Sequence, residues 1–154
     1  MNEDAKFKTA SDIALLAPIP LRHLESALVI HKDCKMAAFG SDKSDVFREL
    51  DKVRNKQPVD VYIYASHADG HFDPEITWVA RYIRSAEHCD RNLRPSSTIT
   101  DTPFRIYWIV DELRRERKEH LRVAKLIGYG KDKQYGPKFV PKGPMLIKHP
   151  QNHP

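Results

Sequence analysis

The sequence predicts an α+β fold: a small, mixed and strongly curved β-barrel with flanking helices. Two observations lead there. Val59–Ser66 and Glu75–Arg84 are rich in β-branched and aromatic residues and flank a short loop, Ala68–Pro74, which is the pattern of two neighbouring strands. The strand-like segments are short and do not alternate regularly with helices, which argues against a doubly wound parallel sheet. With 154 residues, the chain is long enough for one sizeable core and about one domain.

Residues 1–11 are polar and are expected to be a flexible N-terminus, 12–149 a single domain, and 150–154 a flexible C-terminus. Ile13–Ala17 is a short apolar run closed by Pro18-Ile19-Pro20, so it reads as a buried strand. Leu21, Leu24, Ala27 and Leu28 fall at helical spacing and predict a short helix after the prolines. Lys35–Phe39 reads as a second strand ending at Gly40. Ser44 or Asp45 can cap a helix whose apolar face is Val46, Phe47, Leu50 and Val53, stopping before Pro58. The two strands on either side of Ala68–Pro74 follow. Residues 88–103 hold Pro, Ser, Thr and Asn without periodicity and predict a loop. Phe104–Val110 has the composition of a strand. Asp111–Gly128 reads as a helix, with Leu113, Leu121, Ala124 and Ile127 as its apolar points and Gly128 as its stop. A last strand is expected at Met145–Ile147, within an end rich in Lys, Gly and Pro.

The net charge of +5 is unevenly spread. From Arg114 onward there are 11 Lys and Arg against 3 Asp and Glu, whereas residues 1–113 carry 15 against 18. Such segregation points to an anionic partner for the C-terminal third, most often nucleic acid; the plainer reading is a solvated basic helix and tail. No apolar run approaches the roughly 20 residues that span a bilayer, and Met1–Lys8 lacks an apolar signal core. The expectation is a cytoplasmic protein with no membrane partner. Cys34 and Cys89 form no C-x-x-C pair and read as reduced thiols. No phosphate-loop, nucleophile-elbow or dinucleotide fingerprint is present, and no cofactor is expected.

Trp78, Tyr107 and Trp108 have the rings for base stacking, although aromatics on strands are more often core. Tyr107 and Trp108 are adjacent and must face opposite sides of a strand. Ser66 and His67 end a strand and can hydrogen-bond a base edge, or satisfy their own backbone in a turn. His67, Asp69, His71 and Asp73 are metal-ligand types, but their spacing matches no helical site and Gly70 lies among them. A polar loop is the better reading, and no metal is expected. Arg114, Arg115, Arg117, Lys118, Arg122 and Lys125 cluster on the late helix, with Glu112, Glu116 and Glu119 interleaved at pairing distance. Lys131, Lys133, Lys138, Lys142 and Lys148 lack that compensation and are the better phosphate candidates.

Five pieces, in order, resemble the PUA-like superfamily, specifically its EVE, YTH and ASCH branches. They are the first strand running into Pro18-Ile19-Pro20; Phe39-Gly40-Ser41 leading into the Asp45–Arg54 helix; Val61–His67; the strand around Trp78–Ile83; and Pro103–Asp111 with its tryptophan. The resemblance covers roughly residues 12–112, with Phe139–Ile147 as a further candidate stretch, and implies a barrel with a pocket at its mouth. The G-x-K-T-x-x-x-R signature of amidohydrolase-like ASCH members is absent, so it carries binding rather than catalysis. The combined reading is a nucleic-acid-binding domain with a pocket for a single, modified or unmodified base. Phe39, Gly40, Ser41, Ser66, His67, Trp78 and Trp108 would line the pocket. Arg81, Arg94, Lys131, Lys133, Lys138 and Lys142 would meet phosphate. The alternatives are a small amidohydrolase-like enzyme acting on a modified nucleoside, with Lys35 or Glu75 as its only plausible catalytic groups, and a protein-interaction domain.

Overall fold

The computed structural model describes residues 9–66, 74–95, 103–117 and 121–152. The elements run β1 (Ile13–Pro20), α1 (Leu21–Cys34), β2 (Ala37–Ser41), α2 (Ser44–Val53), β3 (Val59–Ser66), β4 (Trp78–Ala86), β5 (Ile106–Arg115) and β6 (Met145–Lys148), with short 3-10 turns between some of them. The class is α+β, as the sequence predicts. The six strands form one sheet in the order β2-β5-β4-β3-β1-β6. β1 and β3 are parallel, and every other neighbouring pair is antiparallel. A parallel pair needs a long crossover, and the stretch from α1 through β2 to α2 supplies it. β2 and β6 are the two edges and do not pair with each other, so the sheet is not closed into the expected barrel.

β1 continues through both of the prolines expected to end it. The carbonyl of Asp12 accepts from the His149 amide beside β6, so even-numbered positions of β1 turn their polar groups toward that side. The β6 register stops at Leu16. Pro18 and Pro20 therefore lie where no ladder bond is required of them, the edge position a strand proline tolerates. Thr9 and Ala10, expected within a loose terminus, are fastened to the sheet: the Ala10 amide donates to the Pro58 carbonyl and the Thr9 hydroxyl to Asp60.

Both faces of the sheet are covered. On one face Leu15, Ala17, Val61, Ile63, Trp78 and Tyr82 pack under Leu24 and Ala27 of α1 and Phe47 and Leu50 of α2. On the other, Ala14, Leu16, Tyr62 and Val79 pack against Ile76, Val123 and Leu126. No helix among the described residues is long and apolar enough to cross a membrane.

The expected helix from Asp111 is instead the second half of β5. Asp111, Arg114 and Arg115 pair with Arg81, Val79 and Trp78 of β4. A bulge between the Val79 and Arg81 pairings puts one extra residue into β5, with Glu112 at φ 53. The extra residue returns Leu113 to the face already occupied by Trp108 and Val110, which gives a strand a spacing that looks helical. The Leu113 amide is taken up by Nε2 of His31 on α1. Sheet pairing here overrides the helix propensity of a charged, Leu- and Glu-containing stretch. A second irregularity, between the Tyr82 and Arg84 pairings, bends the same strand pair again.

α1 runs six residues beyond the expected Leu28 and stops where Lys35 turns left-handed, at φ 63, its amide donating to the His31 carbonyl. A non-glycine residue in that conformation costs about 1–2 kcal/mol. Lys35→Gly is expected to stabilise the fold by about 1 kcal/mol, read as a higher urea midpoint. A lower midpoint would mean that the lysine side chain holds the helix end.

Candidate functional site

The aromatic residues expected to line a base pocket are packed inward. Trp78 and Trp108 are only 1% and 2% exposed. The Trp108 ring lies 5.1 Å from Phe39 and 5.5 Å from Phe47, and Phe47 stacks in turn on Tyr82 at 5.8 Å. The Arg115 guanidinium stands over the Trp78 ring at 5.1 Å. The structure thus brings Phe39 and Trp108 together as core, and no ring face of Trp78 or Trp108 is presented at a mouth. Ser41 is buried, and its Oγ accepts from the Lys43 amide at the start of α2. Gly40 is required where it stands, because a Cβ there would collide with the Phe104 ring. Ser66 is half-buried at the end of β3, opposite Pro20. His67 and the Asp69, His71 and Asp73 cluster lie outside the described residues, among which no group of metal-ligating side chains is found.

Two of the expected phosphate-binding arginines are engaged within the protein. Arg81 forks onto Asp111 through Nε at 2.8 Å and Nη2 at 2.6 Å, a bidentate pair that keeps the guanidinium charged. Arg94 is 7% exposed, with its guanidinium 4.8 Å above Tyr107 and 5.5 Å from Phe104. Three arginines after β4 are matched as well: Arg114 meets Glu116, while Arg117 and Arg122 share Glu75. These are not the helical pairings that the sequence spacing suggests.

Lys148, expected to be uncompensated, lies 3.9 Å from Asp132, but the other C-terminal lysines are arranged differently. Lys131, Lys138 and Lys142 line one groove of about 840 Å3, joined by Lys43 from the start of α2. Among the described residues none of these four lysines is in an ion pair. Among the described residues, Asp45 is the single acidic residue of the groove wall. The floor and sides are apolar, supplied by Val46, Phe139, Val140, Pro144, Met145 and Leu146. Lys133 is exposed in the same hairpin but does not line the groove.

Local sequence explains how this segment holds its shape. The Lys131 amide donates to the Gly128 carbonyl, closing a turn whose third residue, Gly130, has φ +80, the value a type II turn requires there. Tyr129 occupies the second position and is 38% exposed. Its amide donates to the Leu146 carbonyl, and the Lys148 amide donates to Ile127, so the segment covers the outer edge of β6. The amides of Tyr135 and Gly136 return to the carbonyls of Leu126 and Ala124. The Tyr135 and Phe139 rings stack at 4.3 Å. Lys43, Tyr129, Tyr135, Phe139 and Val140 escaped the sequence reading. The signal was available for three of them, Tyr129, Tyr135 and Phe139: in 128–143 aromatics are interspersed among glycines and lysines, the composition of a turn-rich basic surface carrying rings.

A second cleft, of about 520 Å3, opens over β3, β4 and β5 between Asp60, Tyr62, Arg81 and Gln151. Its Asp60 is engaged by His149, which is 2% exposed: Nδ1 of His149 accepts from the Gln151 amide and Nε2 lies 2.7 Å from Asp60, which also accepts from Thr9. With one ring nitrogen accepting and the other donating, His149 offers no lone pair to a substrate, and Asp60 of β3 holds both ends of the described chain, Thr9 at one and His149 at the other. Burial, then the charges of Asp60 and Glu116, push the Tyr62 phenol up to about 12, so it remains protonated at neutral pH. The two groups considered for catalysis are placed elsewhere: Lys35 is an exposed helix cap, and Glu75 is bound to Arg117 and Arg122. Cys34 is exposed, and burial raises the Cys89 thiol, which disfavours the reactive thiolate.

No protein-family model and no curated protein sequence matches this chain.

Because Trp78 is a core side chain, Trp78→Ala is expected to cost about 3–5 kcal/mol of stability in urea denaturation. Near-parental stability would return the ring to the surface and to a binding role.

Proposed function

We propose that this chain is a nucleic-acid-binding domain on a PUA-like scaffold, gripping phosphate with the lysines of the groove between α2 and β6. The observation that carries the proposal is the grouping of Lys43, Lys131, Lys138 and Lys142 on one groove, while Arg81, Arg114 and Arg117 are matched to carboxylates. Unmatched lysines beside apolar and aromatic surface fit a polyanion that also carries bases, because phosphates take the ammonium groups and bases take the floor. The scaffold is supported by the five pieces that resemble the PUA-like superfamily. Each coincides with the element assigned to it: β1 into its prolines, β2 into α2, then β3, β4 and β5. In this reading the bulged, six-stranded sheet is the barrel in open form. The first turn of α2, two residues after β2, faces β6 across the groove where closure would fall. The base pocket moves accordingly, away from Trp78 and Trp108 and toward the groove.

The test is oligonucleotide binding by fluorescence anisotropy across a salt series. Each neutralised phosphate contributes a slope of about −0.7 on single strands and −0.9 on duplex DNA. Replacing Lys131, Lys138 and Lys142 together by Gln is expected to weaken binding to all sequences alike and to make the slope shallower by about 2 to 3. An unchanged slope and affinity would remove these lysines from any phosphate contact.

A further inference from the structure

Three large hydrophobic side chains are exposed among the described residues, and two of them, Tyr129 at 38% and Val140 at 45%, line the lysine groove. A patch that served only to hold phosphates would have no use for them, since lysines on a polar surface suffice for that. Tyr129 is also held rigidly. It sits at the corner of the turn that Gly130 makes possible, with its own amide bonded to Leu146 and the Lys131 amide closing the turn behind it. Along the segment, cation and apolar side chain come as neighbours: Lys131 two residues after Tyr129, and Lys138 directly before Phe139 and Val140. Ammonium groups and rings or aliphatic side chains therefore line the same groove side by side. The groove, at about 840 Å3, falls within the size range of small-ligand sites, so it suits a short stretch of strand rather than a long helix face.

We infer that an unpaired base stacks on Tyr129 over the apolar floor of this groove, so that the strand taken is single-stranded. The inference rests on the nucleic-acid reading and deepens it by naming the state of the ligand. Duplex DNA keeps its bases paired and stacked and offers the floor nothing apolar, unless a base is extruded at a cost of a few kcal/mol. Single strands expose base faces at no such cost, and stacking on an aromatic side chain tolerates any base. Asp45 adds one repulsive carboxylate to a lining that carries four lysines, so the balance of charge in the groove favours phosphate.

The experiment titrates the full chain with three labelled probes of about 10 nucleotides: a single-stranded oligothymidylate, a duplex of the same length, and an abasic strand with the same phosphates. The single strand is expected to bind about 5- to 100-fold more tightly than either of the others. Tyr129→Ala should remove that preference while leaving the salt slope and the melting temperature as they were, because the lysines and the core are untouched. Tyr129→Phe should keep the preference. Equal binding of all three probes would overturn this inference while the phosphate-binding reading stands. So would a Tyr129→Ala variant that weakens all three alike. Failure of every nucleic-acid probe, with polyglutamate bound instead, would overturn both readings in favour of an acidic peptide.

Discussion

The two-sided burial of β1 is the constraint on which the rest of the molecule depends. Every residue from Ile13 to Ala17 is fully buried, so alternate side chains need apolar cover on opposite faces of the sheet. The crossover to the parallel strand β3 covers one face, because its two helices must lie over the sheet they bridge. The other face is left to the most basic part of the chain. Val123 and Leu126 turn inward there, joined by Ile147 from β6. Each such side chain, fully buried, contributes about 1.5–3 kcal/mol. A segment whose composition suggests a solvated tail is thereby fixed in place, and its lysines, excluded from the core, are displayed at defined positions around a groove.

That division also separates two kinds of basic residue. Several arginines on or near β4 and β5 are tied to carboxylates, Arg81 to Asp111 and Arg117 and Arg122 to Glu75, and these pairs hold strands and loops together. The lysines of the groove carry their charge outward. The two basic stretches therefore differ in space: Arg114, Arg117 and Arg122 are paired with carboxylates, whereas Lys131, Lys138 and Lys142 line a groove that also carries exposed apolar side chains. It is this pairing of charge and apolar floor, rather than net charge alone, that recommends nucleic acid as the proposed partner.

Most of the strands were legible because β-branched and aromatic runs bounded by turn residues have few other readings, and both helices announced themselves by spacing. What failed did so for physical reasons. The bulge at Glu112 shifted Leu113 by one position and made a strand imitate a helix. Trp78 and Trp108 satisfied every compositional requirement of a stacking site, but strand alternation cannot say which face of a sheet is covered, and both face the helices. Arg81 looked available because its partner, Asp111, comes from another strand. The groove was half legible: the tail lysines were identified, and the rings between them were in plain view. Lys43 could not be joined to them, since it meets Gly143 only through the fold, its Cε lying 3.4 Å from where a Cβ on that glycine would stand.

Amide chemical-shift mapping during titration with a short single-stranded oligonucleotide tests the central claim most directly. If the groove is the binding surface, the perturbed amides are those of 43–46 and 128–146, with β2, β4 and the residues around Trp108 unmoved. Perturbations confined to the ends of β1 and β3, or spread evenly over the exposed arginines, would contradict the claim.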